Sequence, residues 1–240
     1  MPLLTRFHLH AFICSGLSHS NIVPFLGVFS SNQFPCACIF KLVGNECLRE
    51  YLVSNPGASR LKLVTKLLFS GRPRANSSCM GDQLVDIARG LHHIHDLDIV
   101  HRRIKDTNIR ISDSGTAMIA GFASATLPGI ASEGVDESAE SNASRWCSPE
   151  IIRSGGSELT KASDIYAFGM LAYEIFSGRM PFHDKLDTEA VMIVTTTNQR
   201  PPRPIHQELS GELWHMIERC WQEDPSQRPT IQEVVAFLEK

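Results

Sequence analysis

The chain has 240 residues, 42% of them hydrophobic and 20% charged, with a formal net charge of −3. That length suffices for one large domain or two small ones, and the composition is that of an ordinary soluble globular protein. The near-neutral balance provides no broad basic face, which argues against a nucleic-acid partner, and no apolar run reaches the ~18 residues that a membrane span needs.

The seven cysteines are scattered, with no C-x-x-C pair. That usage fits reduced thiols of the cytosol or nucleus better than a disulfide framework or a zinc site. Cys36 and Cys38 read as core packing in preference to metal ligands. The first fourteen residues hold Arg6 and no acid, superficially like a targeting peptide. Their apolar run, Ala11 to Cys14, is too short for one, so the segment reads as a helix. Ala37 to Phe40 reads as a short buried strand and Leu48 to Leu52 as the opening of a helix. In residues 84–95, Leu84, Ile87, Ala88, Leu91 and Ile94 recur every three or four positions, which places them on one face of an amphipathic helix. The stretch 70–81 is polar and broken by Pro and Gly, and reads as a disordered insertion. Ser112 to Gly115 reads as the turn between two strands, and residues 125–145 as a second loop.

One octapeptide orders these pieces. His101-Arg102-Arg103-Ile104-Lys105-Asp106-Thr107-Asn108 resembles the catalytic loop of protein kinases, H-R-D-x-x-x-x-N, at every diagnostic position except Arg103. Other segments resemble the same family. Ser18 to Phe29 looks like the passage from its helix C into the next strand. Ser148-Pro149-Glu150 is similar to its A-P-E triplet, and Ala162 to Met170 to its buried helix F. Cys220-Trp221-Gln222-Glu223-Asp224-Pro225-Ser226-Gln227-Arg228-Pro229 resembles the C-W-x-x-D-P-x-x-R-P signature of tyrosine-kinase-like and tyrosine kinases. The resemblance covers about residues 6–238. It implies an α+β kinase fold with one kinase domain over 1–240. A partial N-lobe over 1–43 would hold a helix, two strands and a hinge, and a C-lobe would follow over 44–240.

What the resemblance implies about chemistry is uneven. Arg103 stands where the family has the aspartate that accepts the substrate hydroxyl's proton, and a guanidinium has no lone pair for it. Thirteen residues past Asn108, where the family's D-F-G aspartate holds magnesium, the chain reads Gly121-Phe122-Ala123. The family's helix C glutamate falls at His10, and the first acid of the chain is Glu46. No G-x-G-x-x-G occurs in the first forty residues, and the first lysine is Lys41. Lys105 and Asn108 match a phosphate-contacting lysine and a neutral metal ligand, though both are also explicable as loop packing. Phe40 falls at the back of the nucleotide pocket, where it would narrow it or simply be a buried aromatic. Lys41, Leu42 and Val43 fall at the hinge. Asp113 reads as a solvated turn residue. By contrast Asp164, Glu150 and Arg228 match the residues that hold the family's C-lobe together, and Phe122 keeps its place in the degenerate D-F-G.

The expected function is therefore a pseudokinase, a binding or regulatory module without phosphoryl transfer. Its protein partners would meet it around Met180 to Asp187, on the loop after Phe122, or at a positive site formed by Arg102 and Arg103. Pairing of Arg103 with a local acid such as Asp106 is the equal alternative for that arginine. No cofactor is expected. ATP and magnesium enter only on the alternative, an active serine/threonine kinase, and a truncated gene product is the third reading. The compartment expected is the cytoplasm or nucleus.

Overall fold

The computed structural model describes residues 3–32, 36–44, 46–55, 83–127, 145–157 and 159–240. The expected insertion at 70–81 and residues 128–144 of the second loop lie outside them.

Helix α1 (Leu3–Gly16) buries Ile13 and Cys14, while Leu17 beyond its end is buried too. It packs on strand β1 (Phe25–Phe29), which pairs antiparallel with β2 (Ala37–Phe40), Val28 facing Cys38 and Phe29 facing Ala37. The expected buried strand at 37–40 is corrected here: Ile39 is exposed, as are Leu26, Val28 and Phe29 on its neighbour. A sheet of two strands has a second face that α1 does not cover.

Helix α2 (Leu48–Ser54) starts where the Glu50 carboxylate accepts the Cys47 N–H at 2.8 Å, satisfying a donor that the first turn leaves open. Helix α3 (Gln83–Asp96) buries all five periodic apolar residues of the sequence pattern. Its Asp86 carboxylate accepts the Ala117 N–H at 3.0 Å, fixing the helix to a hairpin of β3 (Ile109–Ile111) and β4 (Ala117–Ile119). Ile109 faces Ile119 across that hairpin, and the Ser112 to Gly115 turn joins its strands. The segment before β1 docks on the hairpin as well, through Ile119 N–H to the Asn21 carbonyl at 2.8 Å and Val23 N–H to the Ile119 carbonyl at 2.9 Å.

The centre of the molecule is helix α5 (Lys161–Ser177), capped by Thr160 and buried from Ser163 to Phe176. From Ile165 to Phe176 only Glu174 is charged, and a helix apolar on every side along that stretch has to lie inside. It follows the short α4 (Pro149–Arg153) and packs against α7 (Gly211–Cys220) at close range. A Cβ at Gly169 would lie 2.9 Å from that of Cys220, so only glycine permits the contact. Helix α6 (Asp187–Met192) runs on into π-helical residues Ile193–Thr197, and α8 (Ile231–Leu238) closes the chain against α3. No helix among the described residues is long and apolar enough to cross a membrane.

Candidate active-site cleft

The segment 101–108 is held from beneath by one carboxylate. Asp164, buried on α5, accepts the His101 N–H at 2.8 Å and the Arg102 N–H at 2.7 Å, and its Oδ2 lies 3.0 Å from His95 Nε2. Charge-assisted bonds of this kind fix the loop's shape. His101 is fully buried and its tautomer follows from its partners. Nδ1 takes the Arg103 N–H at 3.2 Å, so Nε2 must carry the proton it donates to the Ala120 carbonyl at 3.0 Å. Burial holds this imidazole below its ordinary range, and it is neutral. Its ring meets Phe122 edge-on, with centroids 4.8 Å apart. Val100 and Thr126 exchange two backbone bonds at 2.9 and 3.0 Å, tying the loop to the segment after Phe122.

Gly121 has φ +81°, and a Cβ there would sit 2.4 Å from both Cγ and Oδ1 of Asn108. The Asn108 amide in turn donates to the Arg103 carbonyl at 2.8 Å. The side chain of Asn108 thus occupies the space that any side chain at position 121 would need first.

Arg102 turns away from Arg103: it has φ 72° and donates to the Ser124 carbonyl at 3.2 Å. Asp106 lies beneath the loop, buried, with Arg49 Nε 2.7 Å from its Oδ2. Arg49 also reaches Glu174 Oε1 at 3.3 Å, and its N–H is aimed there, so Asp106 is held by charge and not by a directed bond. Trp146 Nε1–H donates to the other oxygen of Glu174 at 3.2 Å. Burial, reinforced by the charge of Asp106, pushes the Glu174 carboxyl up to about 8. Burial also raises Asp106, against the pull of Arg49. Two carboxyls share one guanidinium, and nothing in the sequence marked this cluster, because its members lie at 49, 106, 146 and 174.

Above the loop opens a cavity of about 590 Å³ between β2, the hairpin and the segment after it. Phe40, Lys41, Leu42 and Val43 form one wall, Gly121, Phe122 and Ala123 another, and His10 and Arg110 also line it. The expected hinge and pocket residues are brought together here. His10 Nδ1 lies 3.6 Å from the Cys38 thiol. Arg110 is the lining residue that sequence reasoning passed over. Its signal was available: in Ile109-Arg110-Ile111 the alternation turns the arginine away from the core, and that side is the cavity.

Glu150 and Arg228 meet in two hydrogen bonds of 2.7 and 2.8 Å, with the guanidinium fully buried. Met180 to Asp187, expected as a working surface, keeps residues 183–186 exposed and is tied to the body from inside. Arg145 donates to the carbonyls of Pro181, Phe182 and Lys185 and pairs with Asp187. Asp113 lies in the hairpin turn, as expected of a turn residue.

The helical body, the clamped loop and the cavity define a kinase-like α+β domain, and comparison with known proteins agrees. A family model described as "Protein tyrosine and serine/threonine kinase" matches residues 4–238. The serine/threonine/tyrosine-protein kinase HT1 of Arabidopsis thaliana is 29% identical over 98% of the chain and 54% of its own length. Serine/threonine-protein kinase 12 of the same plant is 29% identical over 98% of the chain and 47% of its own length. The dual specificity protein kinase pyk3 of Dictyostelium discoideum is 30% identical over 92% of the chain and 14% of its own length. The chain belongs to the protein tyrosine and serine/threonine kinase family, and spans about half or less of these relatives.

Proposed function

We propose that this kinase-family domain does not transfer phosphate and works as a binding or regulatory module. The observation that carries the reading is the contact of Gly121 with Asn108. Phosphoryl transfer relies on magnesium-bound nucleotide, held by carboxylates, and on a base that receives the hydroxyl proton. At the metal position a backbone of φ +81° packs against an amide that is itself bonded to the Arg103 carbonyl. At the base position stands Arg103, always protonated. The cavity's lining among the described residues carries Lys41, Arg110 and His10 and no carboxylate. This donor set does not fit a magnesium ion, whose ligands are hard oxygens, carboxylates above all.

The second reading, an active serine/threonine kinase, is favoured by Lys105 and Asn108 and by the activities named for the relatives. A thermal-shift titration with ATP separates the two, run with magnesium, with manganese and with chelator. A module without metal chemistry gains no stability that depends on the metal. Metal-dependent stabilisation would favour the kinase.

A further inference from the structure

The cavity beside Gly121 does not suit magnesium, yet its lining carries positive charge. Arg110 lines it half-buried, and Lys41 lines it exposed. Neither side chain makes a hydrogen bond or ion pair with the described residues. Glu50 is an acid close enough to feel Arg110. Its carboxyl lies below the ordinary range first through the bonds from Cys47 and only last through Arg110. It accepts the Cys47 N–H at 2.8 Å and does not line the cavity. A half-buried guanidinium without a counter-charge costs free energy that a bound anion recovers. The shape of the cavity narrows the ligand further. Phe122 turns its ring inward to His101, so its wall is faced by Ala120, Gly121 and Ala123. None of these reaches beyond a methyl group, which leaves that wall flat, neutral and apolar. The volume of about 590 Å³ lies within the range of small-molecule sites.

We infer that this cavity binds a small organic anion, a planar apolar ring bearing one carboxylate or sulfonate, without a metal ion. Arg110 takes the anion in a two-pronged bond and Lys41 adds charge, while the ring lies along Ala120, Gly121 and Ala123. The inference rests on the reading of the cleft as one without magnesium chemistry, and it follows from the same exchange. A carboxylate at position 121 serves a metal-bound anion, but without a metal it repels one, and glycine removes that repulsion. A metal-free triphosphate brings more negative charge than Arg110 and Lys41 can balance, so a single charge fits better. His10 is not counted in the site, since its ring lies against Cys38 and Phe40.

The test is isothermal titration calorimetry of the whole chain in chelator, with 2-naphthoate, the neutral 2-naphthalenemethanol and ATP. The acid should bind about tenfold or more tightly than the alcohol, and more tightly than ATP. Arg110→Met should erase the preference for the acid and Arg110→Lys should keep part of it, both with unchanged melting temperature. Val43→Trp fills the cavity and should abolish binding of acid and alcohol alike. Ala123→Asp should weaken the acid about tenfold and spare the alcohol. Equal affinity for acid and alcohol would overturn the inference. So would full acid binding by Arg110→Met or by Val43→Trp, which places the ligand elsewhere on the surface. ATP binding tighter than that of the acid, or acid binding that emerges only with magnesium, would overturn it too. Arg110→Lys and Ala123→Asp keep the test decisive should Arg110→Met fail to fold. A parallel assay with labelled ATP keeps the two failures apart. Phosphate transfer sinks the proposed function, whereas no transfer together with no preference for the acid sinks only this inference.

Discussion

At position 121 the backbone conformation and the neighbouring side chain act together. A left-handed φ costs a residue with a Cβ about 1–2 kcal/mol, before any contact is counted. The Asn108 amide lies where that Cβ would go and gives up its bond to the Arg103 carbonyl if it moves. Gly121→Ala should therefore cost about 1–3 kcal/mol in urea unfolding, and Gly121→Asp at least as much. Gly121→Asp should also leave the protein without transfer activity, although it restores the family's residue. A second residue, Glu174, has a pH signature. Its folded carboxyl is raised to about 8 from an ordinary 4.5, first by burial and then by Asp106. The folded state then holds a proton that the unfolded chain releases, so its contribution is complete below the unfolded value and is lost as pH rises to about 8. Glu174→Gln should remove that slope, gaining stability relative to the parent as pH rises from 5 to 8 (bounds that follow from the two values). Unfolding midpoints across that range check it, and parallel curves would contradict the assignment. The sequence made the substitution at 103 and 121 legible at once, because each sits at a fixed offset inside a motif. That Asn108 fills the space beside Gly121 was not legible, since it depends on a rotamer.

Among the elements, the ties between helices differ in kind. The Glu150–Arg228 pair joins α4 to the segment before α8 by a buried, two-pronged bond. Removing one partner strands a charge, so Glu150→Ala should destabilise by about 3–5 kcal/mol, read by denaturant unfolding. Burial pushes the Glu150 carboxyl up, but Arg228 pulls it further down, to below its ordinary value. Its stabilising effect is thus complete above the unfolded pKa and lost as pH falls through the folded one, the opposite sense to Glu174. The two-stranded sheet behaves differently. Leu26 and Ile39 are exposed on a sheet whose edges invite pairing with other chains. Leu26→Lys with Ile39→Lys should lower concentration-dependent association in size-exclusion chromatography and change stability by no more than about 0.5 kcal/mol. Helices α3 and α5 were legible in the sequence, one from its 3.6-residue period and one from its resemblance to helix F. Strand β2 was legible as a strand but not in its burial, because an apolar tetrapeptide does not say how many layers cover it. The Arg145 clasp on residues 181–187 was invisible, since its acceptors are mostly carbonyls and carry no residue signature.

For the molecule as a whole, the scaffold and the chemistry part company. Asp164, His101 and Phe122, together with the Glu150–Arg228 pair, hold the helical body and its loop in the family's form. The positions that would handle a metal and a proton hold Gly121 and Arg103, and the cavity beside Gly121 is mostly apolar, with Lys41, Arg110 and His10 as its basic lining residues. On the proposed reading, folding draws on the first set and phosphoryl transfer on the second, so the domain stands without the second. The fold was legible because spaced signatures over 101–229 each carried independent weight. The cleft was legible only in outline, because Arg110 lines it from a strand that no motif covers, while Arg49 and Glu174 meet Asp106 beneath the loop. The most direct measurement is transfer of labelled γ-phosphate from ATP by the purified chain, with magnesium or manganese, to itself and to generic protein acceptors, beside the Arg103→Asp, Gly121→Asp double variant. No incorporation above a no-protein control is expected for either protein. Metal-dependent incorporation by the unaltered chain that persists after stringent purification would contradict it.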